Sequence, residues 1–179
     1  MIEIRIHGRG GQGAVTSAEI LATAAFFDVK ASQAFPSFGT ERMGEPVQAF
    51  CRIDEKPIRI HQNVYEPDHV IVLDETLLNA INVFEGLKKK GVVFIASKRP
   101  ASEFKSPAGQ KIYTVDAYSI ARELIGRPIV NTAMLGAFSK ITRLVSLESL
   151  KKAVEERFSK DLAEKNNAAV EKCFNSVNV

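Results

Sequence analysis

The sequence predicts a three-layer α/β/α fold with a mixed, mostly parallel sheet and a helical C-terminal end, organised as a single domain over residues 1–179. Three observations carry that expectation. Short apolar runs alternate with helical segments from the N-terminus to about residue 124, the pattern of strands covered by helices. The final third repeats its apolar residues at helical spacing, with no strand-like run. A chain of 179 residues that is 45% hydrophobic can also bury one sizeable core.

Each element has its own reason. Ile2-Glu3-Ile4-Arg5-Ile6 alternates apolar and polar and reads as a strand. Gly8-Arg9-Gly10-Gly11-Gln12-Gly13 follows as a glycine-rich turn into a helix over Ala14 to Phe27. Glu19 is that helix's one acidic or basic residue before Asp28, so it should be buried on more than one side, its alanines allowing close approach to a sheet. Lys30 to Pro36 is a second strand, ended by a proline that can donate no ladder hydrogen bond. Ser37 to Pro46 is loop by composition, and Val47 to Ile53 is strand-like. Asp54-Glu55-Lys56-Pro57 reads as a hairpin connection to a short strand Pro57 to Ile60, which would make the sheet mixed, because a parallel pair needs a crossover.

The second half continues the alternation. His69 to Leu73 is a continuous apolar strand, and Asp74-Glu75-Thr76 opens a short helix with a carboxylate at its N-terminus. A further helix is expected to end in Lys88-Lys89-Lys90-Gly91, basic residues and then glycine. Gly91 to Ala96 and Lys111 to Val115 are strands separated by a polar loop, Lys98 to Gly109. Asp116 caps a helix over Ala117 to Leu124. Met134, Leu135, Phe138, Ile141, Leu144 and Val145 share one helical face after Asn131. Leu147, Leu150, Val154 and Phe158 form a second face, with Ser146 as cap, and Asp161 to Val177 a third helix with Leu162, Val170 and Phe174 inward.

Composition excludes several function classes. The net charge of +3 is small and dispersed, which gives no basic face for nucleic acid. Cys51 and Cys173 are too few for a disulfide framework, a zinc site or an iron–sulfur ligand set, and a reduced, cytoplasmic setting fits them. No run of about 18 apolar residues is present for a membrane span. The first residues enter a strand pattern directly, leaving no room for a signal peptide. His7, His61 and His69 are scattered without ligand spacing, and no Ser–His–Asp or Cys–His set can be assembled.

The chemistry-bearing stretches are two. Gly8-x-Gly10-x-x-Gly13 has the dinucleotide-binding spacing between a strand and a helix. A Rossmann domain would place an acidic residue at the end of the second strand to hold a ribose, and here that end is Phe35-Pro36-Ser37. A phosphate-binding P-loop is excluded, since no Gly-Lys-Ser/Thr follows the turn. The glycines then either expose backbone N–H groups to an anion or merely let helix and sheet pack tightly. The second stretch, Ser37-Phe38-Gly39-Thr40-Glu41-Arg42-Met43-Gly44-Glu45-Pro46, carries a ring, a carboxylate and a guanidinium. Glu41 and Arg42 are either an exposed pair or, with Phe38 stacking on a ring, part of an anion site. Both stretches follow strands, at the edge where ligands sit in open α/β sheets.

With these two stretches in order, the chain resembles the gamma subunits of pyruvate:ferredoxin oxidoreductases (pyruvate synthases), within the 2-oxoacid:ferredoxin oxidoreductase family. The resemblance includes Gln33-Ala34-Phe35-Pro36-Ser37-Phe38-Gly39-Thr40-Glu41-Arg42, Val47-Gln48-Ala49-Phe50-Cys51-Arg52-Ile53, Tyr65-Glu66-Pro67-Asp68, Leu73-Asp74-Glu75-Thr76-Leu77-Leu78 and Asn131-Thr132-Ala133-Met134-Leu135-Gly136. It implies an enzyme that oxidatively decarboxylates a 2-oxoacid, passes electrons to ferredoxin and releases an acyl-CoA, reversibly. It implies thiamine diphosphate with magnesium between alpha and beta subunits, and 4Fe-4S clusters mainly in a delta subunit. The gamma subunit is associated with coenzyme A and with closing over the site, and would be inactive alone. Members acting on 2-oxoglutarate tend to carry a Tyr-Gly-Pro-Glu-Ala-Arg-Gly-Gly loop; Phe38-Gly39-Thr40-Glu41-Arg42-Met43-Gly44 is closer to the pyruvate branch.

The expected binding set is therefore Gly8, Arg9, Gly10, Gly11, Gln12 and Gly13, joined by Ser37, Phe38, Gly39, Glu41 and Arg42, with no catalytic residue and no metal ligand. Arg9 and Arg42 would hold coenzyme A phosphates or an interface carboxylate by charge-assisted hydrogen bonds. The expected partners are alpha, beta and delta subunits, with ferredoxin reached through the complex, and neither nucleic acid nor membrane. The rival readings are a free-standing Rossmann-like nucleotide-binding module, a gamma subunit for another 2-oxoacid, and a purely structural scaffold.

Overall fold

The computed structural model describes residues 1–37 and 43–177. Six strands form one sheet: β1 (Ile2–Arg9), β2 (Ala31–Pro36), β3 (Pro46–Asp54), β4 (His69–Val72), β5 (Val92–Ala96) and β6 (Lys111–Val115), in the order β2-β3-β1-β4-β5-β6. The helices are α1 (Ala14–Phe27), α2 (Ala117–Leu124), α3 (Asn131–Thr142), α4 (Leu147–Arg157) and α5 (Lys160–Ser176). β1 is the pivot of the sheet. It is antiparallel to β3, with Ile4 opposite Cys51, and parallel to β4, with Ile4 opposite His69. β4, β5 and β6 continue parallel, whereas β2 pairs antiparallel with β3. The mixed α/β architecture with a helical C-terminal end is the one the sequence predicts.

Alternation along the strands divides the core between two faces. Ile4, Ile6, Cys51, Ile71 and Phe94 face the helices and join α1 and α3 in the larger core. Each such side chain, fully buried, contributes about 1.5–3 kcal/mol. The opposite face carries Val70, Val72, Val93 and Ile95, covered by Leu77, Val83 and Leu87. These come from a 3-10 turn (Glu75–Asn79) and the turns that follow it, so the second layer is irregular backbone rather than α-helix.

Four local expectations are corrected. Residues 57–60 form no strand, because both edges of β3 are already taken by β1 and β2. The segment is held instead by the fully buried Arg52 guanidinium, which donates to the carbonyls of Ile60, Gln62 and Asn63. The expected helix ending at Lys88–Gly91 does not form, and residues 80–90 are turns. The carbonyls of Val83 and Glu85, which a helix would use internally, accept from the buried Arg5 guanidinium at 3.2 and 2.5 Å, and Gly86 is left-handed at φ 67°. Leu144 and Val145 leave the α3 helix, which stops at Thr142 with Arg143 at φ 54°. Leu162 is exposed, and α5 turns Ala163, Asn166, Ala169, Val170 and Cys173 inward. A Cβ on Gly136 of α3 would lie 2.0 Å from the Val170 carbonyl oxygen, a backbone approach that leaves no room for a side chain at position 136.

Candidate functional site

The turn after β1 sits where the sheet changes direction. α1 and β2 lead to one side of β1, and β4 lies on the other, so the carboxyl ends of β1 and β4 border the crevice in which open α/β sheets place ligands. Gly11 and Gly13 are left-handed, at φ 92° and 81°, a conformation that disfavours any Cβ. Neither has room for one. A Cβ on Gly11 would meet the Met43 sulfur at 2.7 Å, and one on Gly13 the Asn131 Nδ2 at 2.5 Å.

Gln12 locks the turn from inside. Its Oε1 accepts the Arg9 N–H at 2.7 Å, its own N–H donates to the Arg9 carbonyl at 2.9 Å, and its Nε2 donates to Asp74 Oδ2 at 2.9 Å. Asp74, directly beyond β4, also accepts from the Thr76 hydroxyl at 2.7 Å and the Thr76 N–H at 3.0 Å. Partial burial pulls the Asp74 carboxyl upward, but the Thr76 and Gln12 hydrogen bonds and the Arg9 charge outweigh it and hold the group below the ordinary aspartate range. The Arg9 guanidinium donates to the Thr76 hydroxyl at 2.7 Å and to the Gly44 carbonyl at 3.0 Å, with Nε 3.4 Å from Asp74 Oδ2.

The two stretches singled out by sequence meet here through backbone. Gly10 N–H donates to the Glu45 carbonyl at 2.9 Å, and Gly44 N–H donates to the Gly10 carbonyl at 3.1 Å. Ser37 N–H donates to the Gln48 carbonyl at 2.9 Å, continuing the β2–β3 ladder. Phe38, Gly39, Thr40, Glu41 and Arg42 lie outside the described residues, so their predicted stacking and anion roles have no geometry here. Gly8 lies in the β1 ladder opposite Val47, near Leu73 and Ala14.

α1 begins at Gly13 with no side chain capping it and no acidic residue in its first turn. Ser17 N–H, donating to the Gly13 carbonyl at 2.9 Å, makes the first helical bond, so the amides before it have no intrahelical acceptor. That end of the helix carries the positive pole of the macrodipole. The arrangement can therefore receive an acceptor or anion with backbone donors, while Arg9, with five N–H groups and bonds to Thr76 and Gly44 already made, keeps donors to spare.

Three residues that shape this site escaped sequence reasoning as site residues. Asp74 and Thr76 read only as a helix start, yet a carboxylate at the end of an apolar strand beside a glycine turn was a usable signal. Asn131, buried at the start of α3, donates to the Gly13 carbonyl at 3.3 Å, a contact between residues far apart in sequence that no local pattern announces. On the second face, His7 is buried, with Nε2 accepting from Arg5 Nε at 3.0 Å and Nδ1 without a partner among the described residues. Burial, reinforced by the Arg5 charge, pushes its pKa down to about 3, so it is neutral at physiological pH. Among the described residues no group of three or more His, Cys, Asp or Glu can hold a metal ion. Cys51 and Cys173 are buried and free, their thiols pushed up by that burial. No helix among the described residues is long and apolar enough to cross a membrane.

Known proteins share this architecture. A family model for pyruvate ferredoxin/flavodoxin oxidoreductase matches residues 3–176. The pyruvate synthase subunit PorC of Methanocaldococcus jannaschii is 55% identical over 177 residues, covering 99% of this chain and 97% of that one. The pyruvate/ketoisovalerate oxidoreductases common subunit gamma of Thermococcus kodakarensis is 55% identical over 179 residues, covering 98% and 96%. The crystal structure of pyruvate oxidoreductase subunit PORC from Thermotoga maritima superposes with a TM-score of 0.84 at 38% identity, over 97% of this chain and 95% of that one. Two near-full-length relatives, a solved structure and a family match that spans almost the whole sequence agree: the chain belongs to the pyruvate ferredoxin/flavodoxin oxidoreductase family.

Proposed function

We propose that this chain is the gamma subunit of a multi-subunit pyruvate:ferredoxin oxidoreductase, which converts pyruvate, coenzyme A and oxidised ferredoxin to acetyl-CoA, carbon dioxide and reduced ferredoxin, reversibly. The observation that carries the reading is the 55% identity, over nearly the full length of both chains, to a pyruvate synthase subunit. The chain's own share is coenzyme A binding and assembly. The open amides at the start of α1 suit phosphate or carbonyl oxygens of that co-substrate, Arg9 braces the turn that presents them, and Arg42 would add a cation. Thiamine diphosphate, magnesium and the 4Fe-4S clusters belong in this reading to alpha, beta and delta partners. The complex works in the cytoplasm.

A second reading concerns the substrate. The name of the Thermococcus kodakarensis relative describes a subunit common to pyruvate and ketoisovalerate oxidoreductases, so one gamma chain serving more than one 2-oxoacid is the specific alternative. The Rossmann alternative has less support, because β2 ends in Pro36 with no carboxylate at its tip.

The test is a tagged purification of this chain from its native cell, with the attached subunits identified and 2-oxoacid- and CoA-dependent viologen reduction measured on the assembly and on the chain alone. The reading expects thiamine- and cluster-bearing partners, pyruvate turnover by the assembly only, and a raised apparent KM for CoA in Arg9→Ala. Turnover by the isolated chain, or firm NAD(H) binding by it, overturns the reading; an assembly equally active on 2-ketoisovalerate selects the shared-subunit alternative.

A further inference from the structure

A cavity of about 380 Å³ opens between the start of α1, the segment before α3 and the start of α5. Its size is within the range of small-molecule sites. Ile125, Ile129, Phe158 and Leu162 give it apolar walls, and Ile129 and Leu162 leave 41% and 38% of their surface exposed. Arg127, Arg157 and Lys165 surround that apolar surface, and among the described residues no carboxylate lines the cavity. Arg157 has a loose ion pair with Glu19 at 3.8 Å, while Arg127 and Lys165 enter no ion pair among the described residues.

The electrostatics are one-sided. Thr16 lies in the first turn of α1 and Asn131 opens α3, and both line the cavity. Neither helix has a side-chain N-cap or an acidic residue in its first turn, so two positive helix ends add to the three cations. Like charges gathered around a low-dielectric surface repel one another, and an anion seated among them removes that repulsion. A simple inorganic anion would leave the apolar walls wet. A ligand that carries both a flat apolar ring and phosphate oxygens satisfies the whole cavity, with the ring against Phe158 and Ile129 and the oxygens at Arg127, Arg157 and Lys165.

We propose that this cavity binds a purine nucleotide, base inward and phosphates toward the three cations. The inference shares the start of α1 with the function proposed above and otherwise rests on Arg127, Arg157, Lys165 and the apolar walls, so the position of the label tests it without reference to the CoA kinetics of Arg9→Ala. The same chemistry is carried by a free nucleotide and by the adenosine end of coenzyme A, and the experiment separates the two sources.

The assembled complex is photolabelled with 8-azido-ADP, and labelled peptides of this chain are mapped by mass spectrometry. Label is expected within 125–131 or 158–166. The double variant Arg127→Gln/Lys165→Gln should need about tenfold or more probe for the same labelling, the effect of losing charge-assisted hydrogen bonds. Lys151→Gln, on the exposed side of α4 and paired with Glu171, should leave labelling unchanged. Protection by excess ADP with CoA ineffective assigns a free nucleotide, and protection by CoA assigns its adenosine end. No label on this chain at millimolar probe, label elsewhere on it, indifference to the double variant, or protection by inorganic phosphate equal to that by ADP each overturns the proposal. If the double variant does not assemble, Lys165→Gln alone, at an exposed position, provides the same comparison.

Discussion

Replacing Asp74 by alanine tests whether the glycine turn is held in shape by the carboxylate at the end of the neighbouring strand. The substitution removes the side chain that accepts Thr76 N–H at the start of the 3-10 turn, a capping contact worth about 1 kcal/mol. It also removes the acceptor for Gln12 Nε2 and the charge 3.4 Å from Arg9 Nε, a partly exposed pair that adds about 1 kcal/mol more. The sum is about 2 kcal/mol. For a chain of 179 residues that lowers Tm by roughly 4–8 °C. The pH dependence has a definite sign. The folded-state pKa of Asp74 is depressed, so its stabilisation is present above the unfolded value of about 3.9 and is lost as pH falls through the folded value. Thermal melts of wild type and Asp74→Ala should therefore differ at pH 7 and converge as pH falls below about 4. In the complex, the variant should raise the apparent KM for CoA, because the turn that presents the α1 amides loses its tie. A Tm difference below about 1 °C at pH 7, or one that persists undiminished at acid pH, refutes the reasoning.

Three further outcomes follow from the same fold. His7 stays neutral when folded down to about pH 3 but protonates near 6.5 when unfolded, so stability should decline as pH falls through that window, and His7→Gln should flatten the decline in urea titrations. Gly136→Ala drives a Cβ to 2.0 Å from the Val170 carbonyl and should cost about 2–4 kcal/mol as α3 and α5 separate, read as a lower urea midpoint; Gly109→Ala, which has open space but a left-handed φ of 76°, should lose only the backbone strain of about 1 kcal/mol. Arg52→Leu removes the donor that holds the carbonyls of Ile60, Gln62 and Asn63 and leaves Glu3 without its partner, a loss of about 3–5 kcal/mol for a broken buried pair. Limited proteolysis should then cut within 55–63 before any other segment.

The sequence was most legible where one local cause decides the structure. Asp116 accepts the Ser119 N–H and starts α2 at Ala117, and Lys111–Val115 is the strand its apolar run predicts, because capping and alternation act within a few residues. The glycine turn was legible for the same reason. Two of the four misjudged elements were set by buried arginines reaching across the fold. Residues 57–60 have strand composition, but the sheet edge they would join is occupied and Arg52 takes their neighbouring carbonyls. Residues 80–90 end like a helix, but Arg5 captures two of the carbonyls. A guanidinium in the middle of a β-strand pattern looks like a solvent-facing residue until the layer covering that face is known. The candidate site was legible in part: the turn was found, its tie to Asp74 and Asn131 was not, since both lie more than sixty residues away along the chain.

That division also bears on how the site would work. Arg9 has the charge to hold a phosphate, but in the folded chain it is already engaged with the Thr76 hydroxyl, the Gly44 carbonyl and the Asp74 carboxylate. A ligand that drew Arg9 wholly to itself would have to offset those contacts, whereas one received by the α1 amides would leave them intact. The two arrangements predict different kinetics. If Arg9 is chiefly a brace, Arg9→Lys, which keeps the charge but not the forked contacts to Thr76 and Gly44, should behave like Arg9→Ala in the CoA dependence of the complex. If its charge meets the ligand directly, Arg9→Lys should recover most of the affinity and the CoA KM should rise with ionic strength. The hydrogen-bond geometry favours the brace, and a salt-sensitive KM rescued by lysine would refute it.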